Sequence, residues 1–133
     1  MNQVIVGHKL EILSVNSLTE NIEKMGENFA MKYFTNRERN TPNLGSTRNE
    51  YFAGRLVAKQ AVLKILGGGN IPWIDIEVQR LLTGEPAIFL YRKAKVTERK
   101  LGIIQWFVSI THTSSYAAAT VLAIGDFQLT VNS

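Results

Sequence analysis

The apolar residues of this chain switch between two spacings, and each switch predicts an element. The opening run Val-Ile-Val-Gly-His-Lys-Leu-Glu-Ile-Leu (4–13) is apolar and β-branched enough for a strand, interrupted at Gly7 and His8. From Ser17 onward Leu18, Ile22 and Met25 fall at helical spacing. Ser17 or Thr19 can cap that helix, Glu20 stands where a capping box from Ser17 needs it, and Gly26 offers a stop. A second short helix is predicted through Asn-Phe-Ala-Met-Lys-Tyr-Phe (28–34). The stretch 40–47, with Pro42 and Gly45, is turn chemistry.

The strongest helix is predicted over Arg48–Leu66. Phe52, Leu56, Leu63 and Leu66 make its apolar stripe, widened by Val62 and Ile65, with Gln60 set inside it. Arg55, Lys59 and Lys64 give the helix a basic remainder, and Gly67-Gly68-Gly69 ends it. Residues Trp73–Gln79 alternate with period two and read as a strand with one wet face. After a turn at Thr83–Pro86, Ala87–Tyr91 returns as a second strand, and Arg92–Leu101 is a charged helix. Gln105–Ile110 and Tyr116–Ile124 read as an antiparallel hairpin, and Gln128–Ser133 as a frayed end. The order predicts an α+β fold, with a long helix packed on an antiparallel sheet.

The 133 residues suit a single domain spanning 1–133. No stretch approaches the ~20 apolar residues that cross a bilayer, and no secretory signal opens the chain, so a cytoplasmic protein is expected. Cysteine is absent, which excludes a disulfide framework, an Fe–S cluster and a Cys-ligated zinc. His8 and His112 lie too far apart in sequence to make a zinc site by themselves. The formal charge of +4 permits an anionic partner. Nucleic acid ranks lowest among such partners, because the aromatic residues give no stacking platform and no nucleic-acid motif is present.

Three features carry candidate chemistry. The glycine triplet follows its helix, whereas a P-loop needs glycines before one, where free N–H groups and the positive helix end meet phosphate. It reads either as a C-cap with a turn or as backbone that approaches a ligand beside Lys64. His112 sits among Thr111, Thr113, Ser114 and Ser115, either as a polar loop residue or as a contact for an anion or nucleotide. Arg48, Arg55, Lys59 and Lys64 form either a solvated face or a cluster for several phosphates.

Two segments carry a resemblance. Phe-Ala-Gly-Arg-Leu-Val-Ala-Lys-Gln-Ala-Val-Leu-Lys-Ile-Leu-Gly-Gly-Gly (52–69) is similar to F-x-G-R-x-A-A-K-E-A-x-x-K-A-x-G-x-G, and Ser-Ile-Thr-His-Thr-Ser-Ser-Tyr-Ala-Ala-Ala (109–119) to S-[IL]-[ST]-H-[TS]-x-x-Y-A-x-A. Both are motifs of the holo-acyl-carrier-protein synthase family of 4'-phosphopantetheinyl transferases, and this chain resembles a divergent member. A G-x-D-like start at Gly7, the Phe34-Thr35 step, the Trp73–Val78 strand and the Gly84–Pro86 turn support the likeness.

The resemblance implies transfer of 4'-phosphopantetheine from coenzyme A to a serine of apo acyl carrier protein. It also implies a homotrimer with coenzyme A in clefts between protomers. By position, Lys64 would neutralise the diphosphate and the charge on the leaving group. His112 and Thr113 would meet the 3'-phosphoadenosine end from a neighbouring protomer, with Gly67 and Gly69 approaching the nucleotide and Arg48 or Arg55 adding phosphate contacts.

The departures from the family pattern bear on the metal and on the partner. The family's Mg2+ site uses an aspartate in the first strand and the glutamate of A-A-K-E-A. An ungapped alignment puts His8 and Gln60 at these metal-binding and catalytic positions, with Glu11 nearby. Imidazole and a neutral amide are poor ligands for Mg2+, which prefers anionic oxygens in octahedral array. The arginine that begins the family's carrier-docking helix is Ser14, and the helix after it carries Glu20 and Glu23 against Lys24. A homologue that binds coenzyme A or a related nucleotide without transferring its arm is the second reading.

Overall fold

The computed structural model describes residues 2–41 and 47–131. Its main sheet has three antiparallel strands in the order β1 (Gln3–Ser14), β5 (Tyr116–Asp126), β4 (Ile103–His112). Helix α4 (Arg48–Ile65) lies across one face of that sheet. A ribbon of β2 (Ile76–Arg80) and β3 (Pro86–Leu90) flanks α4, and α5 (Arg92–Lys100) follows β3. Helices α1 (Val15–Met25), α2 (Glu27–Tyr33) and the single turn α3 (Asn36–Arg39) wrap the side of α4 that the sheet leaves uncovered.

Alternation on β5 decides which sheet face is the core. Ala117, Ala119, Val121 and Ala123 are almost wholly buried beneath α4, and small residues there let the helix approach closely. Gly54 sharpens that approach: a Cβ added to it would stand 2.9 Å from Cγ2 of Ile110 on β4. Strand β1 carries a bulge between Ile5 and Gly7. Beyond it, Lys9 pairs with Val121, Glu11 with Ala119 and Leu13 with Ala117, so these odd positions share the helix-covered face. His8, Leu10 and Ile12 pair with Leu122, Thr120 and Ala118 and take the outer face.

The predicted elements are present with several shifts. The cap of α1 is Ser14, whose hydroxyl accepts the Ser17 N–H at 3.3 Å; neither Ser17 nor Thr19 caps it. Trp73–Asp75 forms a 3-10 turn after Pro72 rather than the start of a strand. Residues Phe127–Val131 form a short helix, α6, where fraying was expected. Pro42 and Gly45 lie outside the described residues.

The basic remainder expected on α4 does not exist as a solvated face. Arg55 and Lys59 are buried at 6% and 0% exposure, leaving Lys64 exposed. Lys59 reaches through the core to Oε1 of Glu38 at 2.7 Å and to the Tyr33 carbonyl at 2.6 Å. Glu38 completes a capping box with Thr35, and its Oε2 accepts the Val78 N–H at 2.8 Å. One carboxylate thus ties α3, α4 and β2 together. Burial pushes the Lys59 ammonium below its ordinary pKa, and the charge and hydrogen bond of Glu38 oppose that shift.

Candidate active site

The end of α4 shows why three glycines follow Lys64. Gly68 N–H bonds to the Leu63 carbonyl at 2.8 Å and Gly67 N–H to the Lys64 carbonyl at 3.1 Å, the two bonds of a Schellman cap. All three glycines have positive φ, at 93°, 68° and 70°, and a Cβ on any of them would meet nothing. Their backbone is therefore both left-handed and open to an approaching group.

Helix α4 separates two polar clusters. At its N-terminal half, Arg55 stacks on the Tyr51 ring with its guanidinium carbon 4.1 Å from the centroid. It lines two adjoining hollows, one with Arg37, Glu38 and Gln79, the other with Gly54, Gly84, Pro86 and His112, and both include Tyr51 and Arg80. The second hollow measures about 350 Å3. Nε of Arg55 is buried and makes no hydrogen bond. Arg55 and Arg80 line both hollows together, two cations fit to receive an anion. His112 reaches the same hollow because its pairing with Ala117 turns it to the α4 face, where Nδ1 lies 3.1 Å from Oε2 of Glu50.

The second cluster sits at the C-terminal half of α4, against β1. Glu11 forms an ion pair with Lys64, and its Oε1 accepts Nε2 of Gln60 at 3.1 Å. Lys9 leaves β1 on this same face, two residues before Glu11. Gln60 is thus a donor to a carboxylate, which explains an amide inside the apolar stripe.

The expected site residues fall into place unevenly. Arg55 and His112 are brought together, and Lys64 and Gln60 meet through Glu11. His8 is not brought to Gln60: it occupies the outer sheet face and shares a 3.3 Å hydrogen bond with Oγ1 of Thr120. The bulge makes the difference, because a shift of one residue turns every side chain of a strand to the other face. Counted from Gly7, the third position of the G-x-D pattern is Lys9. Arg48 stacks on Phe52 and lines a different hollow, with Ile22, Glu27 and Asn49. Thr113 shapes the β4–β5 turn, where its hydroxyl accepts the Ser115 and Tyr116 N–H groups at 3.1 Å. Sequence reasoning missed Glu38 and the inward role of Lys59, although the Thr35-x-x-Glu38 capping box is visible in the chain.

These donors do not suit Mg2+. Glu11 is the one carboxylate of the α4–β1 cluster and is engaged by Lys64 and Gln60. Among the described residues no three His, Cys, Asp or Glu side chains gather as a metal-binding group.

A profile of the 4'-phosphopantetheinyl transferase superfamily matches residues 11–121. The holo-[acyl-carrier-protein] synthase of Gloeobacter violaceus is 38% identical over 109 residues, covering 80% of this chain and 83% of its own. That of Solibacter usitatus is 32% identical over 122 residues, covering 90% and 98%. The crystal structure of the holo-ACP synthase from Plasmodium yoelii superposes with a TM-score of 0.83 at 31% identity, over 95% of this chain and 99% of that one. A Bacillus anthracis holo-(acyl-carrier-protein) synthase in complex with CoA (3',5'-ADP) gives a TM-score of 0.74 at 28% identity, over 92% and 98%. Sequence motifs, fold and relatives agree: the chain belongs to the holo-acyl-carrier-protein synthase family of the 4'-phosphopantetheinyl transferase superfamily.

Proposed function

We propose that this protein transfers the 4'-phosphopantetheine arm of coenzyme A to a serine hydroxyl of an apo acyl carrier protein in the cytoplasm. The observation that carries the reading is the hollow that Arg55 and Arg80 line together with His112. Such a hollow suits a phosphate on a nucleotide, and the Bacillus anthracis relative in complex with CoA (3',5'-ADP) supports coenzyme A as the ligand. The 3'-phosphoadenosine end would take Arg55, His112 and Thr113, and the diphosphate would take Lys64 and the open backbone at Gly67 and Gly69.

The step is a displacement at the β-phosphorus. The serine oxygen forms a new P–O bond, the P–O bond to the leaving group breaks, and 3',5'-ADP departs with the electron pair. The serine proton passes to solvent or to the departing oxygen. Lys64 offsets charge on the leaving group once it turns from Glu11 to phosphate, and this fixed charge is worth more in a half-buried site than in water. No part of the step is routed through a metal.

A homotrimer belongs to the same reading. Ile5, Leu10, Ile12 and Phe107 are exposed by 66%, 63%, 65% and 51% on the sheet face away from α4. An adjoining hollow walled by Ile12, Tyr116 and Ala118 also includes His112 and Thr113. Copies of this chain packed on that face would bury the patch and set the β4–β5 turn of one protomer beside the cleft of another.

The Glu11–Lys64 pair favours a second reading, in which the protein binds coenzyme A and leaves it intact. Chromatography of the nucleotide pool separates the two. The transferase reading expects release of 3',5'-ADP that requires both coenzyme A and the apo carrier protein. Saturable binding of coenzyme A without that product would establish the binder instead.

A further inference from the structure

We propose that an ammonium pair, Lys9 and Lys64 about the single carboxylate of Glu11, holds the diphosphate of its ligand in place of a divalent metal. The inference rests on the coenzyme A reading above.

Register supplies the first observation. Lys9 and Glu11 pair with Val121 and Ala119, which are buried at 0% and 1% beneath α4, so both side chains leave β1 on the helix side. Two residues of a strand span about 7 Å, within reach of one diphosphate for a lysine of this length. Lys64 comes to the same place from the last turn of α4, where its ion pair with Glu11 fixes it.

Charge supplies the second. Gln60 contributes an amide donor and no charge, so Lys9, leaving β1 on the face that carries the Lys64–Glu11 pair, adds a positive charge to a pair that is otherwise neutral. A divalent cation entering there would meet two ammonium groups and a carboxylate already paired. A diphosphate would meet the opposite arrangement. Lys64 is exposed along half of its side chain, and Lys9 has no hydrogen bond or ion pair among the described residues. Lys9 is thus a cation free to accept a phosphate, while Lys64 must exchange Glu11 for one. Glu11, with its side chain only 15% exposed, keeps that exchange local: it holds Lys64 until an anion replaces it.

The third observation is the glycine turn itself. Its left-handed backbone leaves open space at the end of α4 that carries Lys64, since nothing lies within 4 Å of a Cβ built on Gly67, Gly68 or Gly69.

The test is calorimetric titration of the whole protein with coenzyme A and, separately, with inorganic pyrophosphate, each in excess EDTA and in excess Mg2+. The wild type is expected to bind both in EDTA and to bind coenzyme A with an affinity that Mg2+ changes by less than about threefold, and Lys9→Gln to lose about tenfold for coenzyme A in both buffers and for pyrophosphate in EDTA. Lys9→Arg should restore most of that loss, which a merely structural defect would not allow. The double variant Lys9→Asp, Gln60→Glu, which gathers three carboxylates, should bind coenzyme A more tightly in Mg2+ than in EDTA. Wild-type affinity that rises tenfold or more with Mg2+, or a Lys9→Gln variant that binds like wild type, would overturn the ammonium pair. Pyrophosphate binding that depends on Lys9, with no binding of coenzyme A, would keep the pair and overturn the coenzyme A reading.

Discussion

Lys59 shows what one residue can conceal. In the sequence it belongs to a basic string with Arg55 and Lys64; in the fold it is the fully buried partner of Glu38. Periodicity could not separate the two, because a lysine on a helix carries the same spacing whether its ammonium faces water or a carboxylate from α3. The missing information was tertiary: Glu38 comes from 21 residues away, and its third partner, Val78 N–H, from a strand. Glu38→Gln removes the counter-charge and leaves a buried ammonium. It is expected to cost about 3–5 kcal/mol of stability, measured by urea unfolding. Gln60 was legible as an amide needing a partner, and that partner is Glu11.

At the scale of elements, the long helix, its glycine stop and both hairpins were readable because each has a strong local signal. The stop is a full Schellman cap, so Gly67→Ala forces a side chain to φ 93°. That change should destabilise the fold by about 1–2 kcal/mol and blur the position of Lys64, visible as weaker coenzyme A binding in the same preparation. What failed was the facing of β1. Strand identity follows from composition, but the face each residue takes depends on the bulge at Ile5–Gly7, which no alternation in the sequence announces. An ungapped alignment therefore put His8 at the candidate site, whereas the ladder turns Lys9 and Glu11 toward α4 and His8 away from it.

The whole molecule is held between its helical side and its ribbon by a second carboxylate, Glu77. It is 5% exposed and accepts Thr35 Oγ1 at 2.6 Å, Gln79 Nε2 at 2.6 Å and the Tyr91 hydroxyl at 3.1 Å. Burial pushes its pKa up, but these hydrogen bonds and the charge of Arg37 outweigh burial and hold it below the ordinary carboxylate value. A carboxylate depressed in the folded state stabilises the fold fully above its unfolded pKa, about 4.3, and loses that contribution as pH falls through the lower folded value. Glu77→Gln should therefore flatten the acid limb of a thermal-midpoint profile between about pH 5 and pH 3. On the opposite side, the exposed sheet face predicts assembly. Leu10→Lys should shift the sedimentation profile towards the monomer and weaken coenzyme A binding with it; a monomeric wild type would contradict the trimer.

Transfer of the arm is read from the intact mass of the carrier protein. Apo acyl carrier protein is incubated with this protein and coenzyme A, once with Mg2+ and once with EDTA, and weighed by mass spectrometry. A gain of one phosphopantetheine on the serine is expected in both buffers, lost in Arg55→Met. An unchanged mass in both, from protein that still binds coenzyme A, would contradict it.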